Sequence, residues 1–168
     1  MKVTGLVQPI KVLMIEQTRP DFAAEGPALY QLELTTMCYE AGRLVRVRHG
    51  VPVDVPTLVT TVVLDFELGS WALTVNADDD TIRIATTEEL RSEDVRLDDA
   101  PAESPWTRAL GASVQWIWLL RNQQGYHDGI QFSFAHDGQV DCQLQMIAAA
   151  SGWHFAAVQH WVPDATSE

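Results

Sequence analysis

The sequence is poor in basic residues and in long apolar runs, and each shortage excludes a class of protein. Only 11 Lys and Arg stand against 23 Asp and Glu, which gives a formal net charge of −12 over 168 residues. Proteins that bind nucleic acid or anionic lipid normally present a basic surface, so we expect neither partner. The longest strongly apolar run, Trp116–Leu120, is far shorter than the roughly 20 residues that a membrane-spanning helix needs.

Cysteine is also scarce, because Cys38 and Cys142 are the only two. Two thiols do not make a disulfide framework. Residues 1–17 lack the continuous apolar segment of a secretion signal, so a cytoplasmic protein is expected. The zinc motifs H-E-x-x-H and C-x-x-C, the nucleophile elbow G-x-S-x-G and the nucleotide loop G-x-G-x-x-G do not occur. We therefore predict no metal and no cofactor.

Alternation of apolar and polar residues is the dominant pattern, and it predicts β-strands. Leu58–Phe66, Trp71–Val75 and Ile82–Ile84 form three strands of a meander. Near the C-terminus, two alternating segments flank Asp137-Gly138, a pair typical of a tight hairpin turn. A further strand is predicted over Trp153–Trp161 after a turn.

Further elements follow from less regular patterns. Val7–Ile15 predicts a first strand, and Leu29–Tyr39 with Arg43–Arg48 predicts a hairpin. Val114–Leu120 carries bulky residues on both faces, which is typical of a central strand buried on both sides. By their alternation, Trp71, Trp116 and Trp118 are expected in the core.

Helical signals are few. Thr86-x-x-Glu89 is a capping-box pattern, and Ser104-Pro105 with Gly111 frames a second short helix. Ser92–Pro105 is expected to be the longest loop. The prediction is a mainly β fold, at the margin of α+β, with antiparallel meanders and hairpins in a sandwich or roll. We place it in one domain over residues 1–168, with an acidic meander and loop at 61–105 and a hairpin unit at 110–161.

The negative charge is concentrated in one part of the chain. Residues 61–105 contain 3 basic and 12 acidic residues, whereas residues 1–60 contain six of each. One explanation is solubility alone. The alternative is a surface for a basic protein partner, because complementary charge accelerates association. The partner-binding candidates are Asp78, Asp79, Asp80, Glu88 and Glu89.

Arg46 and Arg48 alternate with valines, so both are expected on the solvent face of one strand. Charged residues protect an edge strand from aggregation, and this explains them without a ligand. An anion site is the alternative.

The most concentrated motif runs from Trp116 to Phe132. It predicts a rigid corner between two strands, in which Asn122 and Gly125 adopt positive φ and Tyr126 buries its ring. Catalytic groups often lie on such loops. The alternative to a purely structural role is therefore a small-molecule-binding or hydrolytic site with His127 or Asp128 as acid–base group and Tyr126 orienting the substrate.

The pattern W-x-W-x-L-x-N-Q-Q-G-Y-x-D-G, which begins at Trp116, resembles the core of a small bacterial family of unassigned function. The resemblance is good over residues 110–134 and looser over 55–160. It implies a cytoplasmic bacterial protein and supplies no activity. We predict a non-enzymatic protein-binding module, with an immunity- or antitoxin-like neutraliser of a basic partner as its most concrete form. Homodimerisation through an exposed strand remains open at this point.

Overall fold

Two antiparallel β-sheets make up most of the protein, and the computed structural model describes residues 27–87 and 95–158. The helices and strands are α1 (Pro27–Tyr39), β1 (Leu44–Pro52), β2 (Thr61–Phe66), β3 (Gly69–Val75), β4 (Ile82–Thr86), β5 (Val95–Asp99), a 3-10 helix (Pro105–Arg108), β6 (Ser113–Arg121), β7 (His127–His136), β8 (Gln139–Ala149) and β9 (Gly152–Ala157). The N-terminal sheet has the order β4-β3-β2-β1-β5, and the C-terminal sheet has the order β6-β7-β8-β9. The mainly β prediction is confirmed.

The two sheets share one apolar core. Leu64 and Leu73 of the N-terminal sheet and Phe132 and Met146 of the C-terminal sheet are completely or almost completely buried in it. Trp106 of the 3-10 helix lies in the same core, with its ring centroid 6.3 Å from that of Phe132. The inner faces of the sheets therefore pack against each other as in a β-sandwich.

Hydrogen bonds to backbone carbonyls also join the sheets. The N–H of Trp153 in β9 donates to the carbonyl of Val59 at 2.7 Å, and its indole Nε1 donates to the carbonyl of Leu73 at 3.2 Å. At the start of β1, the N–H of Leu44 donates to the carbonyl of Ala112 at 2.8 Å. These bonds fix the relative position of strands that are distant in sequence.

Several local predictions are confirmed. β2, β3 and β4 form the expected meander. Asp137 (φ 50°) and Gly138 (φ 83°) both occupy the left-handed region between β7 and β8, as a type I′ hairpin turn requires. The short helix predicted after Ser104 is the 3-10 helix that starts at Pro105. Trp71 is buried as expected.

The predicted hairpin over Leu29–Tyr39 and Arg43–Arg48 is wrong, because α1 occupies Pro27–Tyr39. The apolar side chains of this segment meet the core at helical spacing. Leu34, Met37, Cys38 and Ala41 all pack there. The edge-strand prediction for Arg43–Arg48 is also wrong, because β1 lies between β2 and β5.

The prediction of a central strand at Val114–Leu120 is wrong as well. β6 lies at the edge of the C-terminal sheet, and Trp116 and Trp118 are half-buried on the outer face of that sheet instead of in the core. The predicted loop Ser92–Pro105 contains β5, which pairs with β1. Val7–Ile15, Glu88, Glu89 and Trp161 lie outside the described residues.

Candidate functional site

Four connections lie at the same end of the sandwich, which we call the loop end. They are the β1–β2 connector (53–60), the β3–β4 turn (76–81), the β6–β7 corner (122–126) and the β8–β9 turn (150–151). Because β6 to β9 alternate in direction, the corner and the β8–β9 turn lie about two strand spacings, or about 10 Å, apart. The β7–β8 turn at Asp137-Gly138 lies at the opposite end.

The β3–β4 turn is attached firmly to the other sheet. The Asp80 carboxylate accepts hydrogen bonds from the backbone N–H of Ser151 at 2.7 Å and of Ala150 at 3.2 Å. The Ser151 hydroxyl donates to the carbonyl of Ala77 at 3.1 Å. Asp80 adopts a φ of 54°, a left-handed conformation that Asp tolerates better than most residues. Asp80 is thus a structural link between the sheets.

The other two acids of this turn point to solvent. The Asp79 carboxylate accepts hydrogen bonds from the hydroxyl of Thr81 at 2.6 Å and from its N–H at 3.0 Å, and these bonds hold the pKa of Asp79 below its ordinary value. Asp78 is exposed. The structure therefore presents Asp78 and ionised Asp79 on a turn that Asp80 fixes in place.

The β6–β7 corner is ordered by Asn122. Its side-chain oxygen accepts hydrogen bonds from the N–H of Gln124 at 2.9 Å and of Tyr126 at 3.2 Å. Gly125 has the expected positive φ of 93°, but the positive φ expected for Asn122 is wrong, because Asn122 does not adopt one. The expected burial of the Tyr126 ring is wrong, because 51% of this residue is exposed. The corner therefore displays an aromatic side chain on a rigid turn.

His127 and Asp128, the acid–base candidates, begin β7 and are both half-buried. The Arg121 guanidinium lies 3.3 Å from Nε2 of His127. Burial and the positive charge of Arg121 lower the pKa of His127, and the Asp128 carboxylate opposes them in part. His127 is therefore largely neutral at pH 7.

Apolar side chains are exposed in the neighbouring connector. Val53 is 63% exposed and Val55 is 46% exposed, and Asp54 between them also faces solvent. The connector contacts the β8–β9 turn through Leu58, since a Cβ on Gly152 would lie 2.4 Å from that side chain. This exposed surface was not predicted from the sequence, although Val53 and Val55 each lie next to a proline.

Two clefts lie away from the loop end. One of about 360 Å³ includes Arg43, Gln115, His136 and Asp137, and one of about 620 Å³ includes Arg108 and other residues near the start of β8. Tyr126, His127 and Asp128 line neither cleft.

Both cysteine thiols have pKa values above the ordinary one. Burial raises the pKa of Cys38 to about 11 and also raises the pKa of Cys142. A thiol with a raised pKa contains little of the reactive thiolate at pH 7.

Most arginines of the described residues are neutralised by carboxylates. The half-buried Arg48 makes two hydrogen bonds with Asp65, at 2.9 and 2.8 Å, and the exposed Arg46 pairs with Asp99. Arg46 and Arg48 share the outer face as predicted, but each already holds an anion. The full set of arginines paired in this way is Arg43, Arg46, Arg48, Arg96 and Arg108.

In the described part of the chain, no helix is long and apolar enough to cross a membrane, and no three His, Cys, Asp or Glu side chains group as metal ligands. Comparison with known proteins gives one match. The model of a family of unknown function (DUF6334) matches residues 34–161, a range that includes the whole W-x-W motif. No curated protein and no solved structure matches the chain.

Proposed function

We propose that this chain, which belongs to the DUF6334 family of unknown function, is a non-catalytic module that binds a basic protein through its loop end. An immunity- or antitoxin-like neutraliser in the bacterial cytoplasm is the specific form of this proposal. The observation that carries it is the anchored β3–β4 turn, in which the Asp80 bonds to Ala150 and Ser151 hold Asp78 and Asp79 exposed.

Rigidity at a binding surface favours affinity, because less conformational freedom is lost on association. All four connections at the loop end are held by side-chain or backbone hydrogen bonds, and in the β1–β2 connector the N–H of Val55 donates to the carbonyl of Pro52. Asp80 fixes the β3–β4 and β8–β9 turns, and Asn122 fixes the corner. The loop end is therefore already arranged for contact before a partner arrives.

The chemistry of the loop end suits a protein partner with a positive surface. Tyr126, Val53 and Val55 expose aromatic and apolar area of the kind that anchors protein interfaces. Asp54 lies between the two valines and Asp78 lies on the β3–β4 turn; both are exposed, and within the described residues no cationic side chain is paired with either. Carboxylates around an apolar centre steer a basic partner and exclude acidic ones.

Charge reversal at the loop end tests the proposal. The test variant is Asp54→Lys with Asp78→Lys, which leaves the hydrogen bonds of Asp79 and Asp80 intact. The matched control is Glu40→Lys with Glu103→Lys, two exposed acids away from the loop end that undergo the same change of charge. Each tagged protein captures partners from cells of its source at low salt, followed by mass spectrometry.

We expect one basic protein to be retained by the wild type and by the control, and to be lost from the loop-end variant. Tyr126→Ala should also weaken its retention, because the exposed ring supplies contact area. The proposal is overturned if both double variants retain the same proteins as the wild type, or if the retained protein is acidic.

A further inference from the structure

We propose that a second copy of this chain binds the outer face of the C-terminal sheet, so that the protein forms a weak, reversible homodimer. This surface is separate from the loop end and does not depend on the function proposed there. It is built from side chains that alternate with the core residues of β6 to β9.

The register of the sheet places these side chains in adjacent rows. Trp118 of β6 lies opposite Gln131 of β7, which lies opposite Gln145 of β8. In the neighbouring row, Trp116 lies opposite Ser133, which lies opposite Gln143. The rings of Trp116 and Trp118 stack with their centroids 6.4 Å apart. Two tryptophans and three glutamines thus share one face.

This face is neutral on a strongly charged molecule. Between Arg121 at one end and Asp141 at the other, its described residues include no Asp, Glu, Lys or Arg, although the chain carries a net charge of −12. The centre of a protein interface is typically poor in charge and rich in tryptophan. A face without charge is also where two copies of an acidic protein repel each other least.

The glutamine side chains make the face complementary to itself. A two-fold dimer brings the same surface of both copies together. A side chain at the axis must therefore be able to pair with an identical side chain of the other copy. A primary amide both donates and accepts hydrogen bonds, and two such amides can therefore pair across the axis. Gln131 and Gln145 lie near the middle of the face, where the axis would pass.

The dimensions of the face favour a weak dimer. The face contains four strands about 4.8 Å apart and three rows of side chains. Taken as a flat surface, it has an area of roughly 400 Å² per copy. The two copies together would then bury about 800 Å², which is below the standard size of a specific interface and suits only weak, transient association. Salt should strengthen the dimer because it screens repulsion between two acidic molecules.

Sedimentation velocity of the full chain at about 5 to 200 µM, in low and in high salt, tests this inference. The test variant is Gln131→Glu, which places like charges at the axis. Its matched control is Gln123→Glu at the exposed corner. We expect the wild type and the control to dimerise equally, with more dimer in high salt, and Gln131→Glu to weaken the dimer at least about tenfold.

A charge-swap experiment distinguishes a specific loss of dimerisation from a folding defect of the variant. Gln131→Glu and Gln131→Lys should each be mainly monomeric, and an equimolar mixture should recover the dimer. The inference is overturned if the wild type stays monomeric at the highest concentration in high salt, or if Gln131→Glu dimerises as the wild type does. It is also overturned if the mixture of folded variants fails to associate.

Discussion

The Asp80 carboxylate accepts a 2.7 Å hydrogen bond from the backbone N–H of Ser151, 71 residues further along the chain. This bond joins the β3–β4 turn of one sheet to the β8–β9 turn of the other. An acid that the sequence assigned to partner binding is therefore part of the scaffold. Its neighbours Asp78 and Asp79 remain exposed for contact.

Asp80→Ala should destabilise the fold by about 2 kcal/mol. It removes the acceptor for two backbone N–H groups, and hydrogen bonds to charged groups contribute about 1.5–3 kcal/mol. Alanine also fits the left-handed φ of 54° less well than Asp. Urea unfolding followed by circular dichroism measures the effect. Asp78→Ala is the control and should leave the midpoint unchanged; equal losses for the two variants would contradict the structural role of Asp80.

The two arginine pairs on the N-terminal sheet should differ in their contribution to stability. Asp65→Ala leaves the half-buried Arg48 and the Ser70 hydroxyl without their shared acceptor, so a loss of about 3 kcal/mol is expected. Asp99→Ala breaks the exposed pair with Arg46 and should not change the unfolding midpoint measurably. Denaturant unfolding of both variants checks this, and a larger loss for Asp99→Ala would refute it.

His49 should make stability depend on pH. Its ring is buried against Phe155, and burial lowers its pKa from the ordinary 6.5. The folded state then binds the proton less readily than the unfolded state. This contribution to stability is complete above about pH 6.5 and is lost as the pH falls below it. His49→Phe should reduce the slope of unfolding free energy against pH between about 4 and 7. An unchanged slope would show that His49 is not the cause.

Ser133→Ala should be neutral or should stabilise the protein by about 1 kcal/mol. The Ser133 hydroxyl is completely buried, and no described group forms a hydrogen bond with it, so its desolvation is uncompensated. Ser70→Ala is the comparison, because its hydroxyl donates to Asp65 at 2.6 Å. The midpoint of thermal unfolding should be higher for Ser133→Ala than for the wild type, and lower for Ser70→Ala. The reverse order would contradict the assignment.

The hairpins could be predicted from sequence because they depend on local signals. The alternation around Asp137-Gly138 and the left-handed preference of those two residues suffice to specify that turn. The helix α1 was harder to predict, because Leu34, Met37 and Cys38 face the core at helical spacing while the large apolar residues Leu32 and Tyr39 are exposed, so the two sides of the helix differ little in hydropathy.

Strand order and tertiary bonds could not be predicted in this way. Trp116 and Trp118 alternate as core residues do, and only the order of the strands shows that β6 lies at an edge with these rings outside. The bond from Ser151 to Asp80 spans 71 residues and leaves no local pattern. The same holds for the loop end, which exists because turns from two sheets meet there.

The most direct test of the central claim is the association rate between the purified chain and its captured basic partner, measured by stopped flow across a range of salt concentrations. The account predicts that Asp54→Lys with Asp78→Lys slows association at least about tenfold at low salt, and that high salt removes most of this difference. Glu40→Lys with Glu103→Lys should slow it far less. Equal rates for the two double variants at low salt would contradict binding through the loop end.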